Sequence, residues 1–274
     1  MTRSLAISFG ALGDFLLTLP LLRELARGGS VALLTRAAYR ALLPDWLDNR
    51  PFLPVDGPLG TRLFTPVAVF PAALAELVGG ADIHVFARAD ELLRRNLERH
   101  GAARLVFHDP RPESPPHIVE RYFAAAGIQP PPNWQEQPTM PADETGDALW
   151  IHAGSGSPTK SLPIPLLAEY ARDWRAKTGQ PVLVSFGEAD LDRREPLRQT
   201  FARQGIPYTE VLCPSLAELR ADIARRARRY LGADTGVTHL AAALGKETIV
   251  GYRTTDPVVW RPTGNCRVQI VGPS

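Results

Sequence analysis

The stretch GADTGVTHLAAALGKETIVGY, from Gly232 to Tyr252, places an acid, a hydroxyl and a glycine directly before an alanine-rich segment. Alanine-rich sequence favours a helix, and the apolar run Glu247–Tyr252 after it is typical of a buried strand. A helix start exposes backbone N–H groups and carries a partial positive charge, so it can receive phosphate oxygens. The same residues also make an ordinary helix cap, and the stretch by itself favours neither interpretation.

In the phosphate interpretation each residue of this turn has a task. Gly236 lets a ligand approach the backbone closely, and Thr235 offers a hydroxyl donor. Asp234 cannot attract phosphate, so we expect it to fix the turn or to accept bonds from local N–H groups. His239 follows one helical turn later, near any ligand at the helix start, although a histidine there is more often a packing residue.

A second loop, IHAGSGSPTKSLP, runs from Ile151 to Pro163. Its small residues keep the loop open, Ser155 and Ser157 can donate hydrogen bonds, and Lys160 brings a positive charge. The spacing GxxxxGK[ST] of a Walker A motif is absent. The loop therefore predicts either a phosphate contact or a serine-rich turn with a solvated lysine.

A third segment, SFGALGDFLLTLP, runs from Ser8 to Pro20. Gly10 and Gly13 allow a tight strand-to-helix turn, and Asp14 stands at the start of the following helix. A carboxylate there is stabilised by the helix dipole, which makes an N-cap the simpler interpretation. The alternative is a general base that takes a proton from an attacking hydroxyl.

Two charged stretches carry weaker hypotheses. In GEADLDRRE, one of the acids Glu188, Asp190 and Asp192 could bind ribose hydroxyls, as acids do in dinucleotide folds. A plain charged loop is the alternative. The arginines of RADIARRARRYL recur at helical spacing, which favours a solvated face of a helix over Ala217–Arg229, followed by a short strand over Tyr230–Gly232.

The order of elements indicates an α/β protein with two Rossmann-like domains that face a central cleft. A strand, a glycine-bearing turn and a helix occur near Ser4 and again from Ala148. Between them, the proline-rich stretch Gly127–Asp147 is the best linker candidate, which places the domains at 1–140 and 141–274. Pro20 is expected to kink the first helix or to mark its first turn.

Net charge, cysteine spacing and the N-terminal sequence bear on the class of protein. The 274 residues carry a net charge of only +2, which gives no argument for nucleic acid, while a pI of about 8.7 permits an anionic ligand or membrane surface. Two distant cysteines, Cys213 and Cys266, match no metal or redox spacing and predict free thiols. Asp14 and Pro20 interrupt the N-terminal apolar stretch, so a signal peptide is not expected and we interpret the protein as cytoplasmic.

Taken together, the three segments resemble glycosyltransferase family 9, the family of the lipopolysaccharide heptosyltransferases. GALGDFLLTLPLLREL is similar to its N-terminal glycine–aspartate motif, and AGSGSPTKSLP to its central phosphate-binding loop. GADTGVTHLAAALGKETIVGYRTTDPVVWRP resembles its C-terminal motif, which is the longest and most specific of the three. The motifs occur in the expected order and span most of the chain.

This resemblance implies a GT-B fold and an inverting transfer, independent of metal and cofactor, from a nucleotide-diphosphate sugar such as ADP-heptose. The acceptor would be a saccharide or lipopolysaccharide core, and the partners would include the inner membrane surface but no nucleic acid. Asp14 becomes the candidate base. The expected diphosphate contacts are Ser155, Ser157, Lys160, Thr235 and Gly236. Asp234 and His239 would lie beside the donor, Glu188 or Asp190 would contact its ribose, and Gly10 and Gly13 would shape the acceptor-side loop.

Three other functions are alternatives to sugar transfer. A non-catalytic nucleotide-sugar-binding protein would have no reason to keep Asp14 and Lys160. A sugar-nucleotide epimerase of the same fold would differ in its product. A nicotinamide dehydrogenase is disfavoured because GALGDF lacks the G-x-G-x-x-G pattern.

Overall fold

The computed structural model describes residues 2–66 and 69–271, and the chain divides into two compact units, Met1–Pro132 and Asn133–Ser274. The division lies before the predicted boundary at residue 140. The N–H of Met140 donates to the carbonyl of Ala243, and the N–H of Gly264 donates to that of Gln135. The second half of the proline-rich stretch is therefore packed onto the second unit.

The described part of the first unit contains a five-stranded parallel sheet in the order β3-β2-β1-β4-β5. Its strands are β1 (Thr2–Ser8), β2 (Gly29–Thr35), β3 (Phe52–Pro54), β4 (Asp82–Phe86) and β5 (Arg104–Phe107). Its helices are α1 (Leu12–Gly28), the 3₁₀ turn η1 (Ala37–Leu42), α2 (Asp45–Asp48), α3 (Pro58–Leu63), α4 (Ala72–Val78), α5 (Glu91–Arg99) and α6 (Ile118–Ala126). Pro20 lies inside α1 and is buried, so the prediction that it marks the first turn is wrong.

The second unit, as far as residue 271, repeats this plan with six parallel strands in the order β11-β10-β9-β6-β7-β8. Its strands are β6 (Ala148–His152), β7 (Val182–Phe186), β8 (Thr209–Leu212), β9 (Ala227–Ala233), β10 (Glu247–Tyr252) and β11 (Cys266–Ile270). Its helices are α7 (Ile164–Thr178), the 3₁₀ turn η2 (Glu188–Arg193), α8 (Arg194–Arg203), α9 (Leu216–Arg226), α10 (Gly236–Ala243) and α11 (Pro257–Trp260).

One predicted helix is too long. The helix predicted over Ala217–Arg229 ends at Arg226, and the next strand, β9, begins at Ala227. Arg228 and Arg229 therefore belong to a strand and not to a solvated helix face. Tertiary pairing overrides the helical spacing here, because Arg229 lies opposite Glu247 on β10 and Leu149 on β6.

Helices cover both sheets, so their central strands are apolar along their length rather than alternating. In the second unit every residue of β6 and β7 is buried. Trp150, Phe186 and Phe201 are among the largest fully buried side chains. Burial of such aromatic residues contributes strongly to the stability of this unit.

The strand order fixes where a ligand can bind. Counted from the first strand of each unit, both sheets run 3-2-1-4-5, the second with one further strand, which is a doubly wound order. Connections leave the central pair of strands in opposite directions, so a crevice opens beyond their carboxyl ends. In the second unit these strands are β6 and β9, which are followed by the Gly154 loop and the Asp234 turn.

Cys213 and Cys266 are free, as predicted. Within residues 2–66 and 69–271, no helix combines the length and the apolarity that a membrane crossing needs.

Lys246 connects the proline-rich stretch to the α9 helix. Its buried ammonium donates to the carbonyls of Glu144, at 2.8 Å, and Ala224, at 2.6 Å. Lys246→Met keeps the apolar stem but leaves both carbonyls without their donor, so we expect the free energy of unfolding to fall by about 2–4 kcal/mol. Urea denaturation measures this change. Lys177→Met, which removes an exposed ammonium, is the control and should change stability little.

Candidate functional site

The candidate site lies at the carboxyl edge of the second sheet. The loop after β6 and the turn after β9 meet there, because β6 and β9 are paired neighbours. The Lys160 ammonium of the first loop lies 3.2 Å from the Asp234 carboxylate of the second. The structure thus brings together two of the three predicted segments at the point where the strand order reverses.

Asp234 is the centre of this arrangement. The hydroxyl of Thr255 donates to its Oδ2 at 2.6 Å, the same oxygen that Lys160 contacts, and the Nε2 atom of His239 lies 3.5 Å from its Oδ1. The carboxylate is 9% exposed. Its partners are side chains of the Gly154 loop, the α10 helix and the segment after β10, so Asp234 joins these three elements through side-chain contacts.

The ionisation of Asp234 follows from these contacts. Burial by itself raises the pKa of a carboxyl group, because it disfavours the charged form. The hydrogen bond and charge of His239, with Thr255 and Lys160, outweigh burial and lower the pKa of Asp234 from 3.8 to about 2. Asp234 is therefore ionised at every physiological pH, which holds Lys160 at the carboxyl edge.

Thr235 caps the α10 helix. Its side-chain oxygen accepts from the N–H of Thr238 at 3.4 Å, and the N–H of His239 is the first to reach a carbonyl, that of Thr235. The N–H groups of Gly236 and Val237 precede these bonds and have no partner within the helix. A cap and an anion site can therefore coexist at this helix start. The cap uses the N–H of Thr238, whereas an anion would accept from the N–H groups of Gly236 and Val237.

The Gly154 loop is held mostly by its own hydroxyls. The Ser155 hydroxyl is buried and donates to the Ser157 carbonyl, and it also lies 3.1 Å from the Ser161 hydroxyl. Ser157 is half-buried and pairs with Thr159. Ser155 therefore shapes the loop from within, whereas Ser157 and Lys160 lie nearer its surface.

Two arginines that the sequence analysis did not single out also hold this loop. Arg253, which follows β10, donates to the carbonyl of Ser161 at 3.0 Å. Arg193, from η2, donates to the carbonyl of Leu162. Both bring positive charge to the loop that carries Lys160. The only sequence signal for Arg253 was its place directly after a strand at the ligand edge.

Asp190 and Glu188, the two candidates for a ribose contact, have different environments. Asp190 is buried, accepts from the N–H of Gly187 at 3.2 Å and lies 3.5 Å from Nε2 of His152. A side chain at Gly154 would overlap its carboxylate, so the glycine is required there. Glu188 is exposed. Asp190 thus supports the floor of the loop, and Glu188 is the acid that a ligand can reach.

His152 completes a buried polar network under the loop. Its Nδ1 lies 3.0 Å from the Ser185 hydroxyl, which also accepts from the Trp150 indole N–H at 2.9 Å. Burial lowers the pKa of His152, while Asp190 raises it. His152 is therefore a core residue that connects two strands to Asp190.

Asp14 lies in the first unit, at the start of α1. Its Oδ2 accepts from the N–H of Ala11 at 3.0 Å, so it caps the helix start, and its side chain is half-buried. Gly10 has to be a glycine because a Cβ there would lie 2.7 Å from Cβ of Asp14. The carbonyl of Gly10 accepts from the Tyr39 hydroxyl at 3.1 Å. Gly13 follows in the first turn of α1.

The sequence model of glycosyltransferase family 9, described as heptosyltransferase, matches residues 94–273, which is well over half of the chain. The chain belongs to glycosyltransferase family 9. It is therefore a glycosyltransferase with two parallel α/β sheets, and the matched region includes both the Gly154 loop and the Asp234 turn. Among curated proteins no relative matches in sequence.

Solved structures share the fold of this family 9 glycosyltransferase at low identity. A family 9 glycosyltransferase from Veillonella parvula is 15% identical with a TM-score of 0.71 over 100% of this chain and 88% of its own. Escherichia coli ADP-heptose LPS heptosyltransferase II is 17% identical, with a TM-score of 0.71 over 98% and 90%. E. coli heptosyltransferase WaaC with ADP is 20% identical, with a TM-score of 0.65 over 98% and 93%. These matches confirm the predicted GT-B fold class.

The low pKa of Asp234 gives this glycosyltransferase a specific dependence of stability on pH. The folded pKa of about 2 lies below the unfolded value of 3.8. The carboxylate's contribution is complete above pH 3.8 and is lost as the pH falls through about 2. From this difference we expect Asp234→Asn to remove about 2 kcal/mol of that pH-dependent stability.

Denaturation at a series of acidic pH values measures this slope in the wild type and in Asp234→Asn. The control is Asp173→Asn, which removes an exposed carboxylate from α7. Equal slopes for the wild type and Asp234→Asn would contradict the assignment.

Proposed function

We propose that this glycosyltransferase moves a heptose from ADP-heptose to a saccharide or lipopolysaccharide-core acceptor, with inversion at the anomeric carbon and without a metal ion. The observation that carries the proposal is the Lys160 ammonium, held 3.2 Å from Asp234 beside the start of α10. The family supplies the reaction class. The resemblance to heptosyltransferases is the basis for the proposed donor and for inversion, and Lys160 with the start of α10 is the basis for transfer without a metal ion.

The donor diphosphate would bind at the carboxyl edge of the second sheet. Lys160 is 33% exposed, so its ammonium can reach a ligand while it stays paired with Asp234. The N–H groups of Gly236 and Val237 would add two neutral donors at the positive end of the α10 dipole. Thr235 and Ser157 supply hydroxyls at the rims of the two loops, and Ser155 keeps the loop in shape.

The chemistry explains why cations gather at this edge. In a single displacement the acceptor oxygen attacks the anomeric carbon, and the bond from that carbon to the diphosphate oxygen breaks. Negative charge therefore grows on the departing ADP. Lys160 and the helix N–H groups are fixed in place before the reaction, so they stabilise that charge without reorganisation and can do the work of a metal ion.

The nucleoside part of the donor is the least constrained. Glu188, exposed on η2 beside the Gly154 loop, is our candidate for the ribose hydroxyls, since Asp190 is already engaged with His152 and Gly187. Adenine is proposed because WaaC, a structural neighbour, has been solved with ADP and with ADP-2-deoxy-2-fluoro heptose. His239 would act through Asp234, whose ionised form it stabilises.

Asp14 is the proposed general base. It would take the proton from the acceptor hydroxyl as that oxygen attacks, so the proton ends on Asp14 and ADP leaves as the anion. Its hydrogen bond to Ala11 does not prevent this, because a carboxylate has two oxygens and only Oδ2 accepts from that N–H. An acceptor on a lipid core would bring the enzyme to the inner face of the cytoplasmic membrane, as a peripheral protein.

Asp14→Asn separates the base from the cap. The amide oxygen can still accept from Ala11, but the amide cannot take a proton, so we expect sugar transfer to slow by about 100-fold or more. Transfer from ADP-heptose, followed by ADP release, measures the rate. The melting temperature should change little, and the affinity for ADP should be unchanged because the donor residues belong to the other unit.

Asp14→Ala removes both roles and serves as the comparison. If Asp14 were only a cap, Asp14→Asn would retain near-normal turnover and only Asp14→Ala would be impaired. That outcome would end the assignment of Asp14 as the base.

Lys160→Ala tests the diphosphate site. Loss of one charge-assisted contact is expected to weaken ADP binding by about tenfold, as measured by calorimetry. Arg95→Ala, which removes an exposed cation from α5 of the first unit, is the control and should bind ADP normally. Titration of the wild type with ADP, UDP, GDP and CDP compares the bases, and tighter binding of a nucleotide other than ADP would overturn the proposed donor.

A further inference from the structure

A cavity of about 400 Å³ lies in the second unit at the amino edge of the sheet, opposite the edge that carries Lys160 and Asp234. It is formed by the first residues of β6, β9, β10 and β11 and by the C-terminal half of α7. Its size is that of a small-molecule site. The proposed glycosyl transfer uses none of its residues.

The strand register explains how the polar residues of this cavity come together. Arg229 on β9 lies opposite both Leu149 and Glu247, and Arg267 on β11 lies opposite Ile249. Residues opposite one another in a sheet share a face. One face of the sheet edge thus carries Arg229 and Arg267, and this face lies opposite Trp174 of α7.

Two buried N–H groups in the cavity lining have no acceptor among the described residues. They are Nε1 of Trp174 and Nε of Arg229. Trp174 is 6% exposed, and the Arg229 guanidinium lies 5.2 Å from the centre of its indole ring. A buried donor without an acceptor is costly, so a ligand oxygen that reaches either group would be bound favourably.

The side chains that line the cavity carry an excess of positive charge. Glu247 is paired with Arg229, and Asp173 lies 3.6 Å from Lys177, so both acids already have cationic partners. Arg228 and Arg267 have no ion-pair partner within residues 2–66 and 69–271. The cavity therefore carries two uncompensated guanidinium groups together with two unused N–H donors.

We propose that this cavity binds an organic phosphate, at a site separate from the donor site. A phosphate group only accepts hydrogen bonds at its ionised oxygens, carries more than one negative charge and fits the planar fork of arginine. Such a group would supply an acceptor for the N–H groups of Trp174 and Arg229. It would also supply negative charge for the guanidinium groups of Arg228 and Arg267. The phosphate can belong to a soluble metabolite or to a lipid headgroup, since both present the same chemistry.

Calorimetry with pyrophosphate tests the site in a Lys160→Ala background, where the proposed donor site is weakened. We expect pyrophosphate binding to persist in this background and to weaken by about tenfold or more when Arg228→Gln and Arg267→Gln are added. Trp174→Phe, which keeps an aromatic ring but removes the N–H, should also weaken it. The matched control is the pair Arg198→Gln, Arg203→Gln on α8, which removes the same charge elsewhere in the unit.

A second measurement identifies the source of the phosphate. Vesicles of phosphatidylcholine with phosphatidic acid are sedimented with the Lys160→Ala protein and its Arg228→Gln, Arg267→Gln form. Loss of sedimentation in the latter supports a lipid headgroup, whereas pyrophosphate binding without sedimentation supports a soluble ligand. If neither probe binds, or if the control pair weakens binding as much as the cavity variants do, the proposal is wrong. The donor site is tested separately, by ADP binding to the cavity variants, which should be normal.

Discussion

The ion pair between Asp234 and Lys160 is the contact on which the site depends. A carboxylate that is 9% exposed stays ionised because His239, Thr255 and Lys160 together outweigh the cost of its burial. The carboxylate also holds three groups from different segments in place: the Lys160 ammonium, His239 at the start of α10 and the Thr255 hydroxyl. Without that charge, Lys160 would be a mobile cation on a loop, and its position would have to be fixed when a ligand binds.

The doubly wound order of the strands makes this contact possible. Lys160 and Asp234 are more than seventy residues apart, yet they meet because β6 and β9 are neighbours and all the strands are parallel. In a parallel sheet, all the loops that follow the carboxyl ends of the strands lie at the same edge of the sheet. The same geometry gathers the first residues of the strands at the other edge, where Arg228, Arg229 and Arg267 surround a cavity of about 400 Å³. One sheet thus carries positive charge at both of its ends.

Capping and ligand binding do not compete at either helix start. Thr235 caps α10 through the N–H of Thr238, which leaves the N–H groups before it available. Asp14 caps α1 with one oxygen and keeps a second. A residue that orders a helix start is also rigid, and a rigid group provides electrostatic stabilisation without further loss of entropy. The local structure and the proposed chemistry therefore use the same residues.

The sequence determined the outline of this protein, because it depends on local patterns. Short apolar runs located the long strands, the alternation of strands and helices gave two Rossmann-like units, and the order of three motifs gave the family. It also selected the Gly154 loop and the Asp234 turn. These signals are readable because apolar runs, glycines and helix caps act within a few residues of one another.

Tertiary structure decided which of those residues have partners, since a partner can lie far along the chain. The sequence treated Asp190 and Glu188 alike, but only packing against Gly154 and His152 shows that Asp190 is buried. The sequence predicted no role for Thr255. It predicted that Arg229 belongs to a helix, whereas pairing with β10 places Arg229 in a strand beside Glu247. Helical spacing is a local preference, and the hydrogen bonds and burial of a central strand outweigh it.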